Sequence, residues 1–160
     1  MKLTHYSDDK LSLADLYDVE QKEQTPNFKP MGLWVSDDDH FGWADWCRAE
    51  DFNLKPLKHR VEVDLTRILL LRRKEEVLGL ARRYKALPFS EDSLFEYVNW
   101  KLVAEDYDGV IITPYSKKWL WDSSIWAIWV DGWDCAGGCI WRKRAVKEIV
   151  YVGKEEAVEE

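Results

Sequence analysis

Apolar residues in this chain come in short runs, and the spacing inside each run constrains the fold more than any other feature. Residues 59–65 carry Val61, Val63 and Leu65 at alternate positions, the period of a half-buried strand. Gly32-Leu33-Trp34-Val35-Ser36, residues 67–71, residues 110–112 and Cys139-Ile140-Trp141 are further apolar runs of strand length. Turn residues close several of them: Pro30 and the aspartates 37–39 bracket the first, and Asp108-Gly109 and Pro114 bracket the third. Leu3-Thr4-His5-Tyr6-Ser7 reads as a β-prone segment that ends at Asp8-Asp9, and residues 145–152 read as an extension of the same sheet. Helical spacing is rarer. Trp43, Trp46 and Cys47 share one face of a helix starting near Gly42. Val77, Leu78, Ala81 and Tyr84 share a side of a helix over about 74–85. Leu94, Tyr97, Val98 and Val103 predict another over roughly 93–106. Leu11, Leu13, Leu16 and Tyr17 suggest a short helix or irregular element, with a polar loop through 21–30. Residues 119–130, dense in tryptophan, read as strand-rich. Strands and helices mix without strict βαβ alternation, so the expected class is α+β.

The size fits a single domain, expected over residues 1–153, with an acidic tail at 154–160 that carries four glutamates. No window approaches the ~18 uninterrupted apolar residues of a membrane helix, and the polar first ten residues lack the apolar stretch of a secretory signal. The expectation is a cytoplasmic protein with no membrane partner. Cys47, Cys135 and Cys139 are an odd number and a poor disulfide framework, so thiols are expected. Net charge is −7, which gains nothing from counterion release on a phosphate backbone and disfavours nonspecific nucleic-acid binding. The one basic stretch, 67–85, sits around a helical pattern and reads as a solvated face.

Ten tryptophans are more than a core of this size requires. Each ring is large and its N–H wants a partner when buried, so some are core, while a cluster would suit a flat aromatic ligand. Sequence signatures of phosphate loops, Rossmann turns and nucleophile elbows are absent. Cys135 and Cys139 lie four apart, but the scattered His5, His40 and His59 do not complete a tetrahedral set. No metal is therefore expected.

Four stretches in order carry a resemblance. His5-Tyr6-Ser7 on a first strand is similar to the first motif of the ADP-ribosyltransferases of the His-Tyr-Glu type. Gly32-Leu33-Trp34-Val35-Ser36 followed by Trp43-Ala44-Asp45-Trp46-Cys47 resembles the second, a strand with an aromatic residue before a helix with another, as in the poly(ADP-ribose) polymerases. The stretch from Ile68 to Tyr84 is similar to a strand-and-helix insert of smaller bacterial and viral members. Trp133-Asp134-Cys135-Ala136-Gly137-Gly138-Cys139-Ile140-Trp141 stands where that group places its acid and the strand behind it.

The resemblance implies a split antiparallel β-sheet core with a few flanking helices, and NAD as substrate. His5 would hydrogen-bond a ribose hydroxyl, Trp34 and Trp46 would sandwich the nicotinamide, and Ser7 and Ser36 would offer hydroxyls. Where the group has its glutamate this chain has Ala136-Gly137-Gly138. Asp134 is the nearest upstream carboxylate and the expected catalytic group, with Asp131 next. The glycine pair would let the backbone bring that acid closer. The implied activity is mono-ADP-ribosyl transfer, as in a bacterial or phage effector, to a protein or nucleic-acid acceptor. The alternative from composition is a non-catalytic binding or inhibitor module that docks a partner protein or small ligand on a tryptophan-rich surface. The two differ in geometry: the first needs His5, Trp34, Trp46 and Asp134 around one pocket.

Overall fold

The computed structural model describes residues 1–23, 25, 28–86, 96–121 and 128–154. Within them, alternating and apolar runs become seven strands: β1 (Lys2–Ser7), β2 (Leu33–Ser36), β3 (Leu57–Val63), β4 (Ile68–Leu71), β5 (Gly109–Ile112), β6 (Gly137–Ile140) and β7 (Val146–Lys154). They form one mixed sheet in the order β4-β5-β6-β2-β1-β3-β7. Only β4 and β5 run parallel; the remaining neighbours are antiparallel. Four α-helices accompany them: α1 (Trp43–Ala49), α2 (Lys74–Arg83), α3 (Trp100–Asp106) and the single turn α4 (Lys118–Trp121). The fold is α+β. No helix among the described residues is long and apolar enough to cross a membrane.

Pairing register fixes which side chains share a face. Thr4 lies opposite Ser36, Trp34 opposite Cys139, and Cys139 opposite Val110, so these residues and Leu71 and Ile112 face one way. On that face α2 buries Val77, Leu78, Leu80 and Ala81, and α3 buries Trp100 and Val103. Trp129, Trp133 and Trp141 complete this larger core. Fully burying a tryptophan removes about 150–250 Å² from water, a gross gain of roughly 4–6 kcal/mol per ring before entropy is counted. The other face carries a smaller cluster of Leu3, Val35, Val61, Val63, Ile111 and Ile140, joined by Val146 and Ile149.

Helix ends follow local chemistry. In α2, Glu75 and Glu76 occupy the first turn and Arg82 and Arg83 the last, each sign placed where the backbone dipole favours it. Asn99 caps α3 by accepting the Leu102 N–H at 3.3 Å. This cap overrides the expected helix over 93–106. Residues 96–99 are not helical, with Val98 bridged to Lys85 and the Asn99 N–H bonded to the Tyr84 carbonyl. The start of that expectation, 93–95, lies outside the described residues.

A second expectation also fails. The tryptophan-dense stretch 119–130 predicts strand, yet its described parts are helical: α4 and a 3₁₀ segment, Ile128–Trp133. Trp129 and Trp133 are four apart and both buried, with rings 6.0 Å apart and nearly perpendicular. A four-residue spacing puts two rings on one side of a helical turn, and tryptophan's bulk serves either backbone form. Of the expected tail at 154–160, Lys154 ends β7 and the remainder lies outside the described residues.

Candidate functional site

The sheet is not joined equally on the two sides of β1. Toward β3 six residue pairs run from Lys2↔Glu62 to Ser7↔Leu57, while toward β2 there is one, Thr4↔Ser36. Beyond that point the carbonyl of Trp34, which a paired strand would have satisfied, is taken by a side chain: His5 Nδ1 donates to it at 2.5 Å. A carbonyl only accepts, so the proton is on Nδ1 and Nε2 is left as an acceptor. Burial lowers the His5 pKa below its ordinary 6.5, outweighing the carbonyl bond, and nearby His59 and Lys55 push it the same way. The imidazole is neutral at pH 7.

A cleft of about 270 Å³ opens at this place. Its walls include His5 and Tyr6 of β1, Trp34 and Ser36 of β2, Trp43 at the first turn of α1, and Trp133-Asp134-Cys135 leading into β6. Lys29 adds a cation, its Nζ 5.8 Å from the centre of the Trp34 ring. Trp133 stands edge-on to Trp34, ring centres 5.1 Å apart, and its indole N–H is spent on the Gly137 carbonyl at 3.0 Å. Backbone strain gathers here as well. Phe28, Phe41 and Asp134 are non-glycine residues at φ between 60° and 66°. The first precedes Lys29, the second lies two residues before Trp43, and the third lines the cleft. Such conformations cost of order 1–3 kcal/mol each and persist where the surroundings impose them.

Four of the six expected site residues, His5, Trp34, Ser36 and Asp134, line this one cleft, and two do not. Ser7 ends β1 and donates to the Asp9 carbonyl at 2.5 Å, closing the turn. Trp46 stacks on Trp43 at 4.9 Å with the planes 12° apart, so Trp43 presents its ring to the cleft and Trp46 backs it. The two are i, i+3 neighbours on α1, and the one in the first turn lies nearer the strand end from which the helix springs. Phe52 closes the stack, edge-on to Trp43 at 5.7 Å. Ser36 lines the cleft, but its hydroxyl has two partners already. It accepts the Trp43 N–H at 2.7 Å, satisfying an orphan donor of α1, and donates to Asp38 Oδ1 at 2.7 Å. Gly42 permits this close turn, since a Cβ there would lie 2.3 Å from the Ser36 oxygen.

Asp38 is the carboxylate the sequence reading passed over. Besides Ser36 it holds the Tyr6 hydroxyl at 2.8 Å, so two cleft-lining side chains fix it. The signal was present: three aspartates directly after a strand, where short acidic side chains turn the chain. Lys29 gave no local signal, because it reaches the cleft from a loop whose position is set by contacts across the chain, whereas Trp133 stands beside Asp134 in the segment already singled out.

The glycine pair has a different purpose from the one expected. A Cβ on Gly138 would stand 1.8 Å from the Val110 carbonyl oxygen, and one on Gly137, at φ +156°, would stand 2.3 Å from that of Val35. These glycines let β6 fit between β2 and β5, and no ligand is needed to explain them.

Cys135 is raised to about 12, by burial first and then by the charges of Asp134 and Asp38. Burial also raises Cys47 and Cys139. All three are protonated thiols near pH 7, without the thiolate that nucleophilic or metal-binding cysteine needs. Among the described residues no three His, Cys, Asp or Glu side chains gather as a metal site would require. Chemically, the cleft offers aromatic faces, a neutral imidazole acceptor, one cation and a nearby pair of carboxylates. Neither models of known protein families, nor curated proteins, nor solved structures give a significant match to the chain.

Proposed function

We propose that the cleft binds the nicotinamide end of NAD and that the protein is a mono-ADP-ribosyltransferase acting on a macromolecular acceptor. One observation carries the reading: three of the four stretches that resemble the family, far apart in sequence, lie on adjacent strands and lead-ins (β1, β2 and β6) around a single cleft. The single β1–β2 pair and the antiparallel run from β5 to β7 support a split core of the kind the resemblance implies, with β4 added parallel at the edge. Trp34 and Trp43 supply the aromatic walls for a flat, electron-poor ring. His5 Nε2 can accept from a ribose hydroxyl.

In this reading the bond between nicotinamide and the ribose anomeric carbon breaks, and its electron pair leaves with nicotinamide. The sugar then carries oxocarbenium-like positive charge, which the Asp134 carboxylate stabilises. An acceptor nucleophile bonds to that carbon and gives up its proton to solvent. The tryptophan-rich docking alternative draws less support, because Trp100, Trp129, Trp133 and Trp141 are at most 4% exposed and serve the core.

Calorimetry with NAD, together with an assay of nicotinamide release, tests the proposal. The expected result is saturable binding that Asp134→Asn retains while its release rate falls about 10²–10³-fold, the usual loss for removing a charge-stabilising group. Absence of binding at millimolar NAD sinks the reading.

A further inference from the structure

A half-buried lysine normally finds a carboxylate, because an unpaired ammonium near apolar surface loses hydration without compensation. Half-buried Arg142, for example, lies 3.6 Å from Asp18. Lys29 has no such partner: the residue is half-buried, yet among the described residues no carboxylate lies within 4.0 Å of its ammonium. Among the described residues it is also the one cation lining the cleft.

Its position is built, not incidental. On one side the Phe28 carbonyl accepts the indole N–H of the fully buried Trp100 at 3.0 Å. On the other the Gln21 side-chain amide clamps Met31, donating to its carbonyl at 2.5 Å and accepting its N–H at 2.9 Å. Between these anchors the lysine stem passes over Gly132, where an added Cβ would meet Lys29 Cε at 3.0 Å. The ammonium ends over the Trp34 ring, at 5.8 Å from its centre. A cation held there by backbone anchors, next to a floor suited to a flat ring, is prepared for an anion attached to that ring.

We propose that Lys29 contacts the diphosphate of a dinucleotide whose nicotinamide end lies between Trp34 and Trp43. The assignment rests on the NAD reading and deepens it. The cleft, at about 270 Å³, is at the small end for a ligand pocket, so it takes the ring and its ribose and leaves the phosphates at the rim. Lys29 offers a point charge with three donors to those oxygens.

The test uses the full chain as wild type, Lys29→Met, which keeps the length of the stem, and Lys29→Arg. Calorimetry measures NAD and ADP-ribose, and ligand-observed NMR measures nicotinamide, which carries no phosphate. Lys29→Met is expected to weaken NAD and ADP-ribose about 10-fold or more, the scale of one lost charge-assisted contact, and to flatten the salt dependence of NAD binding. Nicotinamide binding should stay within about twofold of wild type, and Lys29→Arg should restore most of the dinucleotide affinity. An unchanged thermal midpoint shows that the Met variant folds.

Lys29→Met binding NAD as tightly as wild type overturns the assignment and leaves the nicotinamide site standing. Equal losses of nicotinamide and NAD also overturn it, since Lys29 would then shape the ring site. Wild type binding neither ligand overturns the NAD reading and this assignment together.

Discussion

Trp100, Trp129 and Trp141 form one set of indoles, and Trp34, Trp43 and Trp46 form another with the same side chain under different constraints. In the first set no ring is more than 1% exposed, and two of the three N–H groups reach a carbonyl: Trp100 to Phe28 and Trp141 to Tyr107. In the second set each ring is half-buried, and Trp34 and Trp43 border the cleft. Trp133 belongs to both. It stacks on Trp100 at 6.2 Å and meets Trp34 edge-on at 5.1 Å. The core set is held by packing on all sides, while the cleft set is held on one side and keeps ring surface available on the other. Composition alone could not separate these roles; the number of packed faces does.

Substitutions in the two sets should separate along the same line. Trp100→Ala removes a ring fully enclosed by Trp129, Trp133 and Trp141 and deletes the bond to Phe28. The expected loss is about 3–5 kcal/mol of unfolding free energy in urea titrations, enough to unfold a marginal domain. A loss under about 1 kcal/mol would mean that the ring is not packed as described. Trp43→Ala is expected to cost less stability, about 1–2 kcal/mol, because the ring is half-buried, and to weaken NAD binding about 10-fold or more. If instead Trp43→Ala leaves binding intact and collapses stability, the two sets have the same role and the contrast fails.

A titration sharpens the comparison, because only the cleft side contains a histidine bonded across the strand gap. The His5 pKa lies below 6.5 in the folded protein, and 6.5 is its ordinary value in an unfolded chain. The unfolded state therefore takes up the proton first. The contribution of His5 to stability is complete above pH 6.5 and is lost as pH falls through the lower folded-state value. His59, 6.1 Å away, and Lys55 both disfavour the charged form. His5→Asn keeps a donor for the Trp34 carbonyl but does not titrate. Its unfolding free energy should therefore decline less steeply than wild type on acidification below pH 6.5. NAD affinity of wild type should fall in the same window, since a protonated Nε2 no longer accepts. Parallel stability curves for the two proteins would show that His5 is not the titrating group.

How far the sequence foretold this depends on whether a feature is local. Alternation in 59–65 and the apolar runs of β2, β4, β5 and β6 are local, and each became a strand near the expected position. His5, Trp34, Ser36 and Asp134 came together because each sits at a fixed offset on a strand, or just before one, that the pattern had located. Trp43 and Trp46 could not be told apart, since a helical face does not say which turn abuts the sheet. Lys29 depends on contacts across the chain, which no window contains. Gly137 and Gly138 invited a ligand explanation, when the obstruction they avoid is the backbone of β2 and β5.

Trp46 provides the smallest and most discriminating change. Its indole N–H is enclosed and, among the described residues, has no hydrogen-bond partner, as is true of Trp129 in the core set. An enclosed donor without a partner costs about 1–3 kcal/mol of desolvation. Trp46→Phe removes that cost while keeping an aromatic face for Trp43 and Phe52, and it loses some ring area. The two effects oppose each other, so unfolding free energy should stay within about 1 kcal/mol of wild type. NAD affinity should fall only slightly, because Trp46 acts through the ring it supports. A destabilisation of about 3 kcal/mol would show that the indole N–H is satisfied in solution, and the backing ring would then belong with the core tryptophans. A large loss of NAD affinity at unchanged stability would instead mean that Trp46 itself faces the nicotinamide, as the motif resemblance implied.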